Sequence, residues 1–478
     1  MANSLTHNGA VQYDHTLDHA VEFFSKAGSI YTSKNRKSYY TESSNIIDMY
    51  KNVWASGDKI TAMKLLFYIR DPRGGAGNRS GFRDCVKWLI DTEAEWVNAN
   101  IGLIPEHGRW DDVRILFDTY LDESAAKFWA NAILEKNVLA AKWADRNDKS
   151  ILRYLRKTNV LKDVGEFRRL LAKIRKEHIV EHKMCSNNWK EIKYPTVPSV
   201  AMSRYSKAFN THDAIGFEKF KEKVANGEVK INASTVFPHD LVRIAKNGDT
   251  QIADLQFAAM PNYLEDTAQR IMVLVDSSGS MDSDIGGSIR AIDVSTSLGL
   301  YCSDRLGKEN PFYRKFMEFQ SESKLTDWSN KTFSECYVAG GSCLGHGIFN
   351  EACGHTNIKH ALDSILKYAK MFNATNEQIP NTLLIISDMQ FDATPCDNAP
   401  VVEQCMSDWE NAGYSRPKIV YWNVSPYTGS PALASHKDVG LVSGFSPAIL
   451  TAIFNAKDFS PRGIMNEAIK KYNVVSPN

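Results

Sequence analysis

The chain of 478 residues is long enough for two or more domains. Its 57 Lys and Arg stand against 56 Asp and Glu, so net charge names no partner and any nucleic-acid surface has to be a local patch. The polar start MANSLTHNGAVQYDH lacks the basic flank and apolar run of a secretory signal, and no apolar stretch approaches the roughly 18 residues of a membrane span, so a soluble cytosolic protein is expected.

From about residue 15 to 265 the pattern is helical. Segments such as LDHAVEFFSKAGSIY, ITAMKLLFYIRD, FRDCVKWLIDTEAEWVNANI, DDVRILFDTYL and AAKFWANAILEKNVLAAKWA repeat apolar residues at three- and four-residue spacing, with charges between them. Short joins rich in Gly, Pro, Asp and Asn suit a stack of helix pairs, a HEAT-like solenoid. Trp88, Trp96, Trp110, Trp129 and Trp143 fall in these helical patterns, where core packing is the default and base stacking the alternative.

Two basic segments interrupt this half. RDPRGGAGNR (70–79) sets Arg70, Arg73 and Arg79 around glycines whose amides could hold phosphate. It lacks the GK[ST] of a nucleotide loop, so no nucleotide cofactor is expected. The competing reading is structural: Arg and Asp paired across a helix–helix turn. The second segment, 153–183, is rich in Lys and Arg, and Arg168, Arg169, Arg175 and Lys176 lie on one helix-like run. Several could follow one face and neutralise a phosphate backbone; a solvated charged helix is the plain alternative. His178 and His182 have the i, i+4 spacing of a zinc pair but no evident third ligand.

The texture changes after about residue 265, and a second domain is expected over 266–478. IMVLVD (271–276), TLLIISD (382–388) and KIVYWNV (418–424) are apolar, strand-length runs with helical patterns between them, the mark of a parallel sheet covered on both faces. FYRKFMEFQ (312–320) and the stretch before TDWSN add strands. GLVSGF (440–445) is a late strand, with Ser446 expected as the N-cap of the next helix, and 460–473 a last helix. The eight cysteines form no CxxC pair and read as reduced thiols; a metal or redox role for the loop-like cluster Cys336, Cys343 and Cys353 is the less favoured reading.

The sharpest signal is Asp276-Ser277-Ser278-Gly279-Ser280, a D-x-S-x-S at the end of the first strand. Ligands of open parallel sheets bind at the carboxyl ends of strands. Here one carboxylate and two hydroxyls are presented together, and Gly279 lets the backbone turn between the serines. Thr356, in a loop entering a helix, and Asp388, ending the strand TLLIISD, complete an oxygen set suited to a hard divalent cation. Mg2+ is expected, with Mn2+ or Ca2+ as alternatives. Asp282 and Asp284 read as a solvated helix start, and Asp392 as an outer partner of the set.

This constellation resembles the metal-ion-dependent adhesion site (MIDAS) of von Willebrand A domains over roughly residues 268–460, with all five positions in order. The resemblance implies that Ser278, Ser280 and one of Asp276 or Thr356 touch the metal directly, with Asp388 direct or through water. Neutral hydroxyl ligands leave the ion much of its charge, so an open position would attract an acidic group from a partner protein.

RDPRGGAGNR, PEHGRWDDVRILF, LAAKWADR, YPTVPSVAMSRYSKAF and INASTVFPHDLV resemble the TROVE module of Ro ribonucleoproteins and an uncharacterised, DUF2828-like group from viruses and plants. SDMQFD and LVSGFS also look typical of that group, and the likeness runs from about residue 7 to 455. It implies an all-α HEAT-like ring followed by an α/β, Rossmann-like von Willebrand A domain that bridges the ring's ends. For Ro it also implies RNA as partner, and a viral source would place the protein in the host cytoplasm. No Ser–His–Asp order, paired catalytic carboxylates or nucleotide loop is evident, so a non-catalytic protein is expected. The two functional expectations are an RNA-binding scaffold or quality-control partner, and a protein scaffold docking an acidic ligand on the metal.

Overall fold

The apolar periodicity of the first half closes into helices where the sequence pattern placed them. The structure is a computed structural model that describes residues 3–29, 46–176, 179–264, 269–286, 289–338, 348–349, 354–393, 400–425 and 429–477. A short antiparallel hairpin, β1 (Asn3–Leu5) and β2 (Val11–Tyr13), precedes α1 (His19–Ala27). A helical array follows: α2 (Ile46–Ala55), α3 (Lys59–Arg70), α4 (Arg79–Thr92), α5 (Ala94–Ala99), α6 (Leu103–His107), α7 (Asp122–Leu134), α8 (Val138–Trp143), α9 (Lys149–Lys157) and α10 (Val164–Lys176). It continues through α11 (Val180–Cys185), α12 (Ser199–His212), α13 (Ala214–Ala225), α14 (Pro238–Lys246) and α15 (Thr250–Ala259).

Three long helical runs divide at chemically marked points. Within 125–144 the break is at Lys136, with φ 62°, after which Asn137 caps α8 by accepting from the Ala140 amide. Residues 82–101 divide at Glu93, the C-cap of α4. The run 111–121 forms a 3-10 turn over Trp110–Leu116, because the Asp112 carboxylate is drawn inward and caps the turn through the Arg109 amide at 3.1 Å. Trp96, Trp110 and Trp129 are buried in aromatic clusters, and Trp88 packs edge-on against Tyr50 and Trp54. Trp143 packs against the same core and lies under the Arg109 guanidinium.

The second half alternates strands and helices: β3 (Ile271–Asp276), β4 (Asp284–Gly286), β5 (Ile289–Arg290), α16 (Ala291–Asp304), β6 (Lys315–Phe319), β7 (Ser323–Asp327), α17 (Ile358–Met371), β8 (Thr382–Ser387), α18 (Val401–Asn411), β9 (Lys418–Asn423), β10 (Val439–Ser443), α19 (Ile449–Asn455) and α20 (Pro461–Ile469). Six strands form one sheet in the order β10-β9-β8-β3-β6-β7. Its pairs are parallel except β6–β7, so the expected parallel sheet carries one antiparallel edge. Every residue of β3 and β8 is buried, as central strands covered on both faces require. α16 packs so close to β3 that a Cβ on Gly299 would lie 2.4 Å from Val275 Cγ2, which explains a glycine in mid-helix. Ser446 falls short of its expected place: α19 begins at Ile449, and the Ser446 hydroxyl takes the Ala448 amide at 3.4 Å. Among the described residues, no helix is long and apolar enough to cross a membrane.

The change of texture at 265 divides the pattern but not the packing. The first residues of the chain lie on the α/β half: Gly28 N donates to Ser443 Oγ, and Ser443 Oγ to Phe24 O. The last residues lie on the helical half: Lys471 and Tyr472 bind Asp71, and Val475 pairs with Asn100. The far end of the helical array also returns to the α/β half, through α14 against α16 and an Asp254–Ser334 hydrogen-bonded pair.

Candidate metal centre and basic surfaces

The chain leaves β3 towards β6 and returns to the other side of β3 as β8, so a crevice opens at the carboxyl ends of these two strands. Asp276 ends β3, and Asp388 follows the last residue of β8. Asp276, Ser278, Thr356 and Asp388 are all buried, while Ser280 is half-buried. Asp276 Oδ1 accepts from Ser278 N at 2.9 Å and Oδ2 from Ser387 Oγ at 2.5 Å. The Ser278 and Ser280 hydroxyls are 3.2 Å apart. Gly279 N donates to Gly354 O at 3.3 Å, which ties the D-x-S-x-S turn to the loop carrying Thr356. Asp392 Oδ1 accepts from Thr356 N at 3.1 Å and so holds that loop. Asp388 Oδ1 accepts from Gln390 N at 3.0 Å; its Oδ2 is buried without a hydrogen-bond partner.

The electrostatics of this crevice are unfavourable without a counter-charge. Burial raises the pKa of Asp276, and the Asp388 charge adds to it; hydrogen bonds from Ser387 and Ser278 work the other way. Burial likewise raises Asp388, against the nearby Ser280 hydroxyl and the Gln390 amide. Two buried carboxylates, one with an unpartnered oxygen, together with three hydroxyls are the donor chemistry that a hard divalent cation takes. Among the described residues no group of three or more His, Cys, Asp and Glu side chains is placed to hold a metal ion, so any cation here would rest largely on hydroxyls. Of the flanking acids, Asp282 pairs with Arg290 at 3.0 Å and faces away from such a role.

The two basic segments have opposite fates. Arg70 is 2% exposed, with Nη2 2.6 Å from Asp112 Oδ2. Arg79 binds Asp112 Oδ1 at 3.0 Å and also Asp111, and Arg83 binds Asp112 Oδ1 at 2.8 Å. The glycine-rich amides are also taken: Gly75 N donates to Asp71 O, Ala76 N to Tyr68 O and Asn78 N to Ile69 O. A Cβ on Gly75 would sit 2.0 Å from Tyr68 O, so glycine serves close chain approach there. The phosphate expectation for Arg70 and Arg79 is therefore corrected: their charge faces Asp111 and Asp112, and the loop amides face α3. Arg73 is exposed, but alone it makes no cradle.

On α10 the cations point outward. Arg168, Arg169, Lys173 and Lys176 are exposed, while Phe167, Leu171 and Ile174 are buried on the opposite side. At 100° per residue those four cations fall within an arc of about 140°. Arg175 does not share it. Its guanidinium donates to Ala141 O at 2.8 and 2.6 Å and to Ala144 O at 2.6 Å, satisfying the end of α8. Its removal from the phosphate set is a second correction; burial and then Arg146 lower its pKa.

Residues 270–474 match the model of a domain of unknown function, DUF7788, and residues 118–274 match that of another, DUF2828. The chain is similar to two families without an assigned function. The models meet at the first residues of β3, where the texture changes. Uncharacterized protein L728 of Acanthamoeba polyphaga mimivirus is 22% identical over 539 residues, covering 100% of this chain and 89% of the viral protein. The crystal structure of the Deinococcus radiodurans RO (RSR) protein covers 96% of this chain and 100% of its own at 12% identity, with a TM-score of 0.38. A superposition that loose carries no argument about function.

Sequence reasoning missed the groups that surround the crevice. Ser387 could have been found, as a hydroxyl one residue before the strand-end Asp. Thr6, His7 and Asn8 could not: they lie in a polar start without periodicity, yet Asn8 Nδ2 reaches Thr356 Oγ1 at 3.2 Å. Cys85, Cys302, Cys336 and Cys405 are buried free thiols and Cys185 is an exposed one. Cys343, Cys353, Cys396 and His178 lie outside the described residues.

Proposed function

We propose that the protein is a non-catalytic RNA-binding scaffold that resembles Ro, with the outer face of α9–α10 as its RNA surface. In this reading the HEAT-like array forms a ring bridged by a von Willebrand A-type domain. The return of both ends of the array to the α/β half supports that geometry. One observation carries the RNA reading. Of the eleven Lys and Arg between residues 146 and 176, Arg153 and Lys157 pair with Asp122 and Glu123 and Arg175 turns inward, but an outward row remains on α10. Arg168, Arg169, Lys173 and Lys176 form an exposed row on one arc, spaced to neutralise a phosphate backbone.

The test is fluorescence anisotropy with a structured RNA between 50 and 200 mM salt, comparing wild type with Arg168→Ala/Arg169→Ala/Lys173→Ala/Lys176→Ala. The expected result is a salt-sensitive affinity whose log–log slope falls by about 0.7–0.9 for each phosphate that the variant no longer neutralises. Affinity that is absent, or unchanged in the variant, defeats the reading.

The unpartnered Asp388 Oδ2 favours a second reading, in which Asp276, Ser278, Ser280, Thr356 and Asp388 hold Mg2+, or Mn2+ or Ca2+, and the ion docks an acidic group of a partner protein. Bound there, the cation would supply a positive charge that neutral hydroxyls leave largely uncancelled. Two-metal hydrolysis would need further carboxylates. At a Mg2+ concentration of about 100 times Kd, folding should gain about 2.7 kcal/mol, and Asp388→Asn should abolish the gain. Equal denaturation curves with and without Mg2+ would remove the ion from the account. A hydrolase activity lost in Asp276→Ala and Asp388→Ala would make the protein an enzyme.

A further inference from the structure

We infer that the N-terminal hairpin is a gate over the proposed cation site, latched by Thr6, His7 and Asn8 and able to lift while the sheet stays folded. The inference rests on the cation reading above. The tip of the hairpin is laid on the loop after β8. Thr6 Oγ1 donates to Phe391 O at 2.6 Å, His7 N to Gln390 Oε1 at 2.7 Å and Asn8 Nδ2 to Gln390 O at 2.7 Å. Ala393 N returns a bond to Asn8 O at 3.0 Å. The three side-chain bonds join residues more than 380 apart in the chain.

The latch is polar and the anchor behind it is apolar. Between residues 4 and 13, Ala10 is the one buried apolar side chain, and Leu5 is 63% exposed. The His7 and Asn8 bonds are part-buried and exchange for bonds to water when the tip lifts, while the buried Thr6–Phe391 bond is the firmest hold of the latch. In α1, by contrast, Val21, Phe23, Phe24 and Ala27 are fully buried. Between the two, Tyr13 and Ser430 exchange backbone bonds at 2.9 and 2.8 Å. That pair is the pivot: the tip can rise about it while α1 stays seated. A segment with a single buried apolar side chain and mostly part-buried hydrogen bonds is the kind that opens first.

The gate bears on binding in two ways. Asn8 Nδ2 donates to Thr356 Oγ1, one of the five candidate donor groups, so closing the tip occupies a lone pair that a cation could use. Beneath the tip lies a cavity of about 140 Å³ lined by His7, Asn8, Ser280, His355, Thr356 and Gln390. That volume admits a few waters or a single small carboxylate, since a water takes about 30 Å³. His7 and Asn8 at the tip form one wall of it, so an acidic side chain carried on a protein surface meets the hairpin there. Small acids therefore bind with the gate shut, and a macromolecular acid requires it open.

The test uses the full chain, with Asn8→Ala and Thr6→Val/Asn8→Ala variants. Hydrogen exchange read by mass spectrometry should show residues 4–12 exchanging at least about 100-fold faster than 271–276 and 382–387. On Mn2+-loaded protein, the Mn2+-dependent part of poly-L-glutamate affinity should rise about tenfold in the double variant, with acetate affinity unchanged. A hairpin that exchanges in step with the strands overturns the gate. So does poly-L-glutamate affinity that is unchanged in both variants while Mn2+ still binds. If no form of the protein binds Mn2+, the cation reading falls and takes the gate with it, an outcome distinct from the other two.

Discussion

The turn at 70–79 and the helix at 164–176 are both rich in arginine, and they use it in opposite ways. In the turn, Arg70, Arg79 and Arg83 converge on Asp111 and Asp112, and the charge cancels inside the protein. On α10, the acids within reach are few and Arg168, Arg169, Lys173 and Lys176 remain in solvent. A count of cations is thus uninformative until the positions of the carboxylates are known. The two acids that decide the matter lie about 30 to 40 residues downstream of the turn.

The most damaging way to probe this contrast is Asp112→Ala. It strips the partner from Arg70, which is 2% exposed, and should cost about 3–5 kcal/mol, because a buried guanidinium is left uncompensated. Urea denaturation measures it, and a loss under about 1 kcal/mol would mean that Arg70 finds water. Arg175→Ala comes next. It removes the guanidinium from the Ala141 and Ala144 carbonyls and should cost about 1–3 kcal/mol, which separates Arg175 from its outward-facing neighbours.

Acid should act on the inward cluster with a smaller effect. Burial works to raise the Asp71 pKa, but Lys471, with the Arg73 and Gly74 amides, leaves it below the ordinary carboxylate value. A folded pKa below the unfolded one means stabilisation that is present above about pH 4 and lost as pH falls through the folded value. Wild type should lose stability relative to Asp71→Asn over that window; parallel curves would show that the C-terminal tail does not depend on this charge. The smallest effect belongs to the outward face. The fourfold alanine variant of Arg168, Arg169, Lys173 and Lys176 should unfold within about 0.5 kcal/mol of wild type, since exposed charges contribute little and the side-chain bond lost, from Arg168 to Asn147, is itself exposed. A larger loss would place these cations among the structural ones.

Much of the fold was legible because its signals are local. Three- and four-residue apolar spacing marks helices, and strand-length apolar runs mark β3, β8 and β9, whatever the rest of the chain does. The D-x-S-x-S turn was legible too, since Asp276, Ser278 and Ser280 are neighbours in sequence, and strand context put Thr356 and Asp388 at the same sheet edge. The antiparallel edge strand β7 and the breaks at Glu93 and Lys136 were less so, because one residue's backbone angle or cap decides them.

By itself the sequence determined the two textures, their join near residue 265 and the oxygen-rich end of β3, because periodicity and strand ends are properties of short segments. Only the tertiary structure decided which arginines face inward, that residues 6–8 lie against the Thr356 and Gln390 loops, and that each terminus packs on the opposite half. Those outcomes depend on pairs of groups 30 to more than 400 residues apart, whose meeting follows from packing the whole chain and leaves no trace in local pattern.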